Sequence, residues 1–295
     1  MISETFYHFG LVGWPLDHSL SPVLHTNFMQ AAGITGRYDL YPVSPEQNRQ
    51  NELKSLFLRF RDKELHGLNI TIPYKETVLG YLDNLNPVAR DIGAVNTIYL
   101  HQNQLVGENT DASGFMADLK WFINNTQRHN KEEPKSVLIL GAGGSARAIV
   151  YGLSRAGWQV TIAARRLDQA QSLARELSQS DLFPLYPIPL TPAALSNQIP
   201  DLIVNTTPVG MSPNIEASPW PAELALPSHT SLYDLVYNPP VTKLVRRAQE
   251  AGLNATTGLG MLVEQAALAF ERWTGFHASI ETIQMVKKLA SDQIR

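Results

Sequence analysis

The sequence predicts an α/β protein of two domains, each built on a mostly parallel sheet with helices on its faces. Three observations carry that expectation. Short apolar strands alternate with helical patterns from Phe9 to Gly107, which is the order that builds a parallel sheet. A second series of the same kind begins at Ser136, directly before a glycine-rich turn. The 295 residues suffice for two domains of ordinary size with an ample core.

The elements follow in chain order. Phe9–Gly13 reads as a strand, and Ser21 and Pro22 open a helix, with Ser21 as its cap and Pro22 in its first turn. Tyr38–Val43 is a second strand and Leu53–Phe60 a helical face. In the third strand Leu68, Ile70 and Ile72 alternate with Asn69 and Thr71, the period of a half-buried strand. Pro73 cannot donate to a ladder, so this strand should stop there. Ala94–Leu100 and Gln104–Gly107 read as a hairpin across His101, Gln102 and Asn103. Asp111–Ile123 is a helix, and the polar stretch from Asn124 to Pro134 a surface loop.

In the second series Ser136–Leu140 is a continuous apolar strand, and Ala146, Ile149, Val150 and Leu153 recur at helical spacing after it. Val160–Ala164, Leu202–Asn205 and Leu232–Val236 are further strands. The proline-rich stretch from Pro184 to Pro200 and the loop from Pro208 to Pro221 read as irregular connections. Leu262–Phe270 and Ile280–Leu289 are helical and should pack on an earlier domain.

Composition narrows the function classes. Hydrophobic residues make up 44% and charged residues 17%, which predicts a soluble globular chain. A net charge of −3 argues against a nucleic-acid partner. The absence of cysteine excludes disulfides, thiolate metal sites and cysteine nucleophiles, and fits a cytoplasmic protein. Met1–Gly10 lacks the pattern of a signal peptide, and no run approaches the ~18 apolar residues of a membrane span. His18 and His25 lack the spacing of a helical zinc pair, so no metal is expected.

Two segments carry chemistry. The turn Gly141-Ala142-Gly143-Gly144-Ser145-Ala146 satisfies a dinucleotide fingerprint with alanine in third place. The first glycine allows the tight turn, the second lets amides approach a pyrophosphate, and the small third residue lets helix and strand pack closely. The phosphates would sit at a helix N-terminus. The next strand ends in Ala164-Arg165-Arg166. An acidic residue there would bind ribose hydroxyls, whereas guanidinium groups attract a 2′-phosphate, so the pair predicts NADP(H) unless both arginines are simply solvated.

The second segment ends in Lys75, just past the carboxyl end of the third strand, where ligands bind in open α/β sheets. Asn69 and Thr71 supply a polar face there. The loop after the first strand brings Ser19 and Ser21 to the same edge, two hydroxyls suited to a small carboxylate, although Ser21 alone is an ordinary cap. His18 is either a base or a structural hydrogen-bonder. Asn96-Thr97 and Asn109-Thr110-Asp111 add polar groups. Asp111 either caps the following helix or shares a proton with Lys75, since a lysine acting near neutral pH needs a carboxylate to orient it.

In that order, Ser19-Leu20-Ser21, Asn69-x-Thr71-x-Pro73-x-Lys75, Gly93-Ala94-Val95-Asn96-Thr97, Asn109-Thr110-Asp111, the glycine turn and Gly258-Leu259-Gly260-Met261-Leu262-Val263-x-Gln265 closely resemble the shikimate dehydrogenase family over nearly the whole chain. The resemblance implies a substrate-binding catalytic domain at residues 1–110, completed by 258–295, and a Rossmann-like NADP-binding domain at 111–257. It implies reversible reduction of 3-dehydroshikimate to shikimate, in the chorismate route to aromatic amino acids, by a monomer or homodimer. Lys75 and Asp111 would flank the reacting hydroxyl, and Ser19 and Ser21 would hold the carboxylate. Thr71, Asn96, Tyr237 and Gln265 match positions that bind the other oxygens, and Leu235 and Gly258 match positions lining the nicotinamide. The family often has Asn-Arg-Thr where this chain has Ala164-Arg165-Arg166. Rival expectations are a quinate/shikimate dehydrogenase using NAD or NADP, and a sensor that binds NADP and shikimate without catalysis. A folate-type or tRNA-linked reductase would explain the glycine turn but neither Ser19–Ser21 nor Lys75.

Overall fold

The computed structural model describes residues 5–46, 49–125, 135–178 and 184–294. They form two compact units: residues 1–114 with 263–293, and residues 115–262 with 294–295. The stretch expected to be a polar loop falls mostly at 126–134, outside the described residues.

The first unit opens with β1 (Tyr7–Gly13), α1 (Ser21–Ala32), β2 (Gly36–Pro42), α2 (Arg49–Arg61) and β3 (Gly67–Ile70). A 3₁₀ turn (Thr77–Tyr81), β4 (Asn84–Leu85), α3 (Pro87–Ile92), β5 (Thr97–His101), β6 (Gln104–Glu108) and the start of α4 (Asp111–Asn125) follow. The strand order is β2-β1-β3-β5-β6-β4. β1 pairs in parallel with both β2 and β3, and β4 with β6. The antiparallel pairs arise where β5 and β6 fold as the expected hairpin. Its two turn residues, Gln102 and Asn103, take φ of 48° and 63°, the left-handed pair that matches strand twist.

Three local expectations change. β3 ends at Ile70, so Thr71 lies past the strand, its N–H donating to Val12 O of β1 at 2.9 Å. Ser21 does not cap α1. The capping position is Leu20, without a side-chain bond, and Ser19 Oγ accepts from the Ser21 N–H at 3.3 Å. The fifth strand starts at Thr97 because the Val95 N–H turns aside to the Lys75 carbonyl, 2.8 Å away.

The second unit contains β7 (Ser136–Leu140), α5 (Gly144–Arg155), β8 (Gln159–Ala164), α6 (Leu167–Leu177), β9 (Leu185–Pro189) and α7 (Pro192–Leu195). It continues with β10 (Leu202–Asn205), β11 (Ser231–Asp234), α8 (Lys243–Glu250) and β12 (Ala255–Thr257). Its sheet, β12-β11-β10-β7-β8-β9, is parallel throughout. This is the doubly wound order, with the reversal of direction between β7 and β10. The stretch from Pro184 to Pro200 is therefore not irregular: it holds β9 and α7. Leu190 N–H donates to Ala164 O at 2.9 Å, so even-numbered positions face β8. Pro187 and Pro189 face the open edge, where a missing N–H leaves no ladder bond unmade. β11 stops at Asp234 because the Val236 N–H bonds the Asp234 side chain.

The chain closes with α9 (Leu259–Thr274) and α10 (Ile280–Ser291). From Val263 onward these helices belong to the first unit. They complete its core as an aromatic cluster: Trp273 stacks on Phe9 at 4.8 Å, and Phe270 meets both Phe9 and Phe28 at 5.9 Å. A side chain on Gly67 would run into the Trp273 indole, so only glycine lets helix and strand approach this closely. A second core, of Phe57, Phe60, Leu68, Val95, Ile98 and their neighbours, fills the other face of that sheet.

Candidate active site

In the first unit, β1 leads through α1 to β2 on one side while β3 lies on the other, which makes a switch point at the carboxyl ends of β1 and β3. The Ser19–Ser21 loop follows β1 and the Lys75 turn follows β3. Trp14 N–H donates to Ile72 O and Thr71 N–H to Val12 O, both at 2.9 Å, so the two loops are tied together.

Lys75 and Asp111 meet there. Lys75 Nζ lies 2.5 Å from Asp111 Oδ2, and both residues are buried. Asp111 is free to do this because Asn109 does the capping: Asn109 Oδ1 accepts from the N–H groups of Asp111 (3.1 Å) and Ala112 (3.3 Å). Asp111 Oδ1 accepts from Asn96 Nδ2 at 2.9 Å. Asn96 Nδ2 also lies within reach of Thr110 Oγ1 and Gln265 Oε1, while its Oδ1 accepts from the Thr110 N–H at 2.7 Å. Every polar atom of Asn96 therefore has a partner, which holds the carboxylate in one orientation. A buried ammonium–carboxylate pair held this way can exchange a proton with a bound oxygen.

Of the other expected substrate ligands, Asn69 is committed within the protein. Its Oδ1 accepts from Tyr38 Oη at 2.8 Å and its Nδ2 donates to Asn96 O at 3.2 Å. Thr71 and Ser19 are half-buried at the rim and Ser21 is buried. Beneath them the Tyr38 phenol is pushed well above its ordinary range by complete burial, with Ser21 acting weakly the other way. His25 stacks on Tyr38 at 4.4 Å with the rings nearly parallel. His18 is exposed. Sequence reasoning placed the Asn109 segment at the site but missed its capping role; an asparagine two residues before a helix is a start signal in its own right.

The second unit builds a different site. Gly141 takes φ of 116°, which side-chain-bearing residues rarely adopt, and a Cβ there would meet Thr206 Oγ1 at 2.6 Å. α5 starts at Gly144 behind Gly143, with no side-chain cap, and nothing lies within 4 Å of the Gly143 Cβ position. Ala142, Gly144 and Ser145 are only partly buried, so the first-turn amides face open space. At the end of the neighbouring β8, Arg165 and Arg166 are exposed after buried Ala164. Neither forms an ion pair among the described residues, whereas Arg147 on α5 pairs with Glu176 at 2.7 Å. An uncapped helix N-terminus beside two unpaired guanidinium groups fits a dinucleotide that carries an additional phosphate. Gly258 packs on the Leu235 backbone, so these two positions do come together. Tyr237 is partly buried in the same unit, past β11.

Among the described residues, no group of three or more histidine, aspartate or glutamate side chains is arranged to hold a metal. None of the helices there is long and apolar enough to cross a membrane.

A glycine turn at one switch point and a buried lysine–aspartate pair at another define a class: two-unit α/β proteins with a dinucleotide-type turn in one unit and a polar site in the other. Comparison with known proteins narrows it. Residues 11–98 match the shikimate dehydrogenase substrate binding domain, 125–197 match shikimate / quinate 5-dehydrogenase, and 258–286 match the shikimate 5′-dehydrogenase C-terminal domain. A shikimate dehydrogenase (NADP(+)) of Geobacillus kaustophilus is 38% identical over 270 residues, covering 90% of this chain and 92% of the relative. The enzyme of the same name from Salinibacter ruber is 40% identical over 268 residues, 90% of each chain. A crystal structure of shikimate 5-dehydrogenase from Thermus thermophilus, in complex with NADP(H) and shikimate, superposes with a TM-score of 0.81 at 35% identity, covering 97% of this chain and 100% of that one. The chain belongs to the shikimate dehydrogenase family.

Proposed function

We propose that the protein is an NADP-dependent shikimate dehydrogenase, catalysing the reversible reduction of 3-dehydroshikimate to shikimate. The buried Lys75–Asp111 pair at the first unit's switch point carries the proposal. Residues 1–110 with 258–295 form the substrate domain in this scheme, and 111–257 the NADP domain. The chain works in the cytoplasm as a monomer or homodimer.

Ser19 and Ser21 bind the substrate carboxylate near the start of α1. The Ser19 oxygen accepts from the Ser21 N–H, but its hydroxyl hydrogen remains available to donate. Thr71, Asn96 and Gln265 contact the ring oxygens, and Asn69 sets the position of the Asn96 backbone through its own side-chain bond. The Gly141–Ser145 turn holds the pyrophosphate, Arg165 and Arg166 hold the 2′-phosphate behind Ala164, and Leu235 and Gly258 line the nicotinamide. When bound, the cofactor supplies or accepts a hydride at the substrate carbon. Lys75 donates a proton to the C3 oxygen as negative charge develops there, and takes it back in the oxidising direction. Asp111 orients the ammonium and is itself held by Asn96.

The test follows NADPH appearance with shikimate, with quinate and NAD⁺ as comparators. Shikimate with NADP⁺ should be the fastest combination. Lys75→Ala should lower turnover by roughly 10²–10⁴ with a smaller change in KM, because the lysine acts mainly in the transition state. Turnover within about threefold of wild type, or faster turnover with quinate and NAD⁺, would reject the proposal.

A further inference from the structure

We infer that Asp234 is a positioning residue for the dinucleotide site, setting cofactor affinity through Asn205 without touching the cofactor itself. The inference rests on the NADP site proposed above.

Asn205 ends β10 and Asp234 ends β11, directly paired in register, and neither is exposed to solvent. Asn205 Nδ2 donates to Asp234 Oδ1 at 2.8 Å. That bond orients the Asn205 amide, whose Oδ1 accepts from both the N–H (2.9 Å) and the hydroxyl (2.7 Å) of Thr207. The loop so held begins at Thr206, which bonds back to Leu140 O at the end of β7 through its N–H and its hydroxyl. Thr206 Oγ1 is the atom packed against Gly141 in the glycine turn. The same Asp234 Oδ1 accepts from the Val236 N–H at 3.0 Å, while its Oδ2 accepts from Thr242 Oγ1 at 2.7 Å, and Thr242 caps α8. The Leu235 N–H donates to Asn205 O at 2.9 Å. One carboxylate thus joins the carboxyl ends of β10 and β11, the loop against the glycine turn, and the Leu235 segment that contacts Gly258.

Stability does not account for this carboxylate. No lysine or arginine pairs with it among the described residues, and burial raises its pKa to about 6 despite three donors that act to lower it. An unpaired buried carboxylate is a burden on the fold. Its use lies in geometry, because it can accept from a side-chain amide, a backbone N–H and a hydroxyl at once.

The experiment measures NADP⁺ binding by fluorescence titration and steady-state kinetics in both substrates, for wild type, Asp234→Ala and Asp234→Asn. Asp234→Ala should weaken NADP⁺ binding and raise its KM by roughly tenfold or more, with the shikimate KM within about twofold. Asp234→Asn keeps one acceptor oxygen for Asn205 and Val236, and its amide can donate to Thr242, so affinity should return to within about threefold of wild type. Should the alanine variant fail to fold, Thr207→Val removes a hydroxyl held by Asn205 and should show the same split between the two KM values. Unchanged NADP⁺ affinity in the folded variant, or equal changes in both KM values, overturns the inference and leaves the proposed function standing. A wild-type chain that does not bind NADP⁺ overturns both.

Discussion

Replacing His25 by phenylalanine should flatten the acid side of this protein's stability profile. The ring is wholly buried, and neither nitrogen has a hydrogen-bond partner. Burial lowers its pKa to about 3; nearby Asn69 favours the charged form, but too weakly to offset burial. In the unfolded chain histidine titrates near 6.5. Because the folded pKa is depressed, the unfolded state takes up the proton first as pH falls. Stability is therefore fully present above about pH 6.5 and declines below it. At about pH 5 the loss is the 1.5-unit gap from the unfolded pKa multiplied by 1.36, about 2 kcal/mol. Phenylalanine keeps the stack on Tyr38 and has no proton to gain. It also replaces two unpartnered polar atoms by carbon, so at neutral pH the variant should match or exceed wild type by about 1 kcal/mol. Urea unfolding near pH 7.5 and pH 5, followed by tryptophan fluorescence, measures both quantities. The advantage of the variant should widen by about 2 kcal/mol in acid. Two stability curves that run parallel across that range would refute the argument, as would an NMR titration placing the folded His25 pKa near 6.

Three further outcomes are expected. Asp111→Asn keeps an oxygen for Asn96 but removes the charge opposite Lys75, so turnover should fall by roughly 10²–10⁴ while the circular-dichroism spectrum is unchanged; near-normal turnover would remove Asp111 from the proton step. Gly67→Ala forces a methyl into the Trp273 indole and should destabilise the first unit by about 1–3 kcal/mol, read from its urea midpoint. Replacing Arg165 and Arg166 together by alanine should raise the KM for NADP⁺ about tenfold or more and leave that for NAD⁺ little changed, and an equal effect on both cofactors would place the arginines elsewhere than at the 2′-phosphate.

How much was legible before the fold was seen varies with the kind of signal. The glycine turn was readable because a tight βα turn, a helix start and a small packing residue all lie within six positions. β7 and β10 were found at their observed bounds, since a strand buried on both faces is a continuous apolar run. β9 was missed because its two prolines look like breakers until the strand is known to lie at an edge. The capping roles were also misassigned. Ser21 before a proline looks like a cap and is not one, whereas Asn109 is a cap and so frees Asp111.

Sequence alone determined the two α/β series, the glycine turn followed one strand later by two cations, and the presence of a lysine and an aspartate each just past a strand. Each rests on local periodicity or on the chemistry of a single short segment. Tertiary structure decided which of those residues meet. Lys75 and Asp111 lie on opposite sides of a hairpin and come within 2.5 Å only because β3, β5 and β6 stand side by side. Asn205 and Asp234 are joined for the same reason, by the register of β10 on β11. A side chain's partner across a sheet depends on strand order and register, and these follow from burying both faces of the whole sheet.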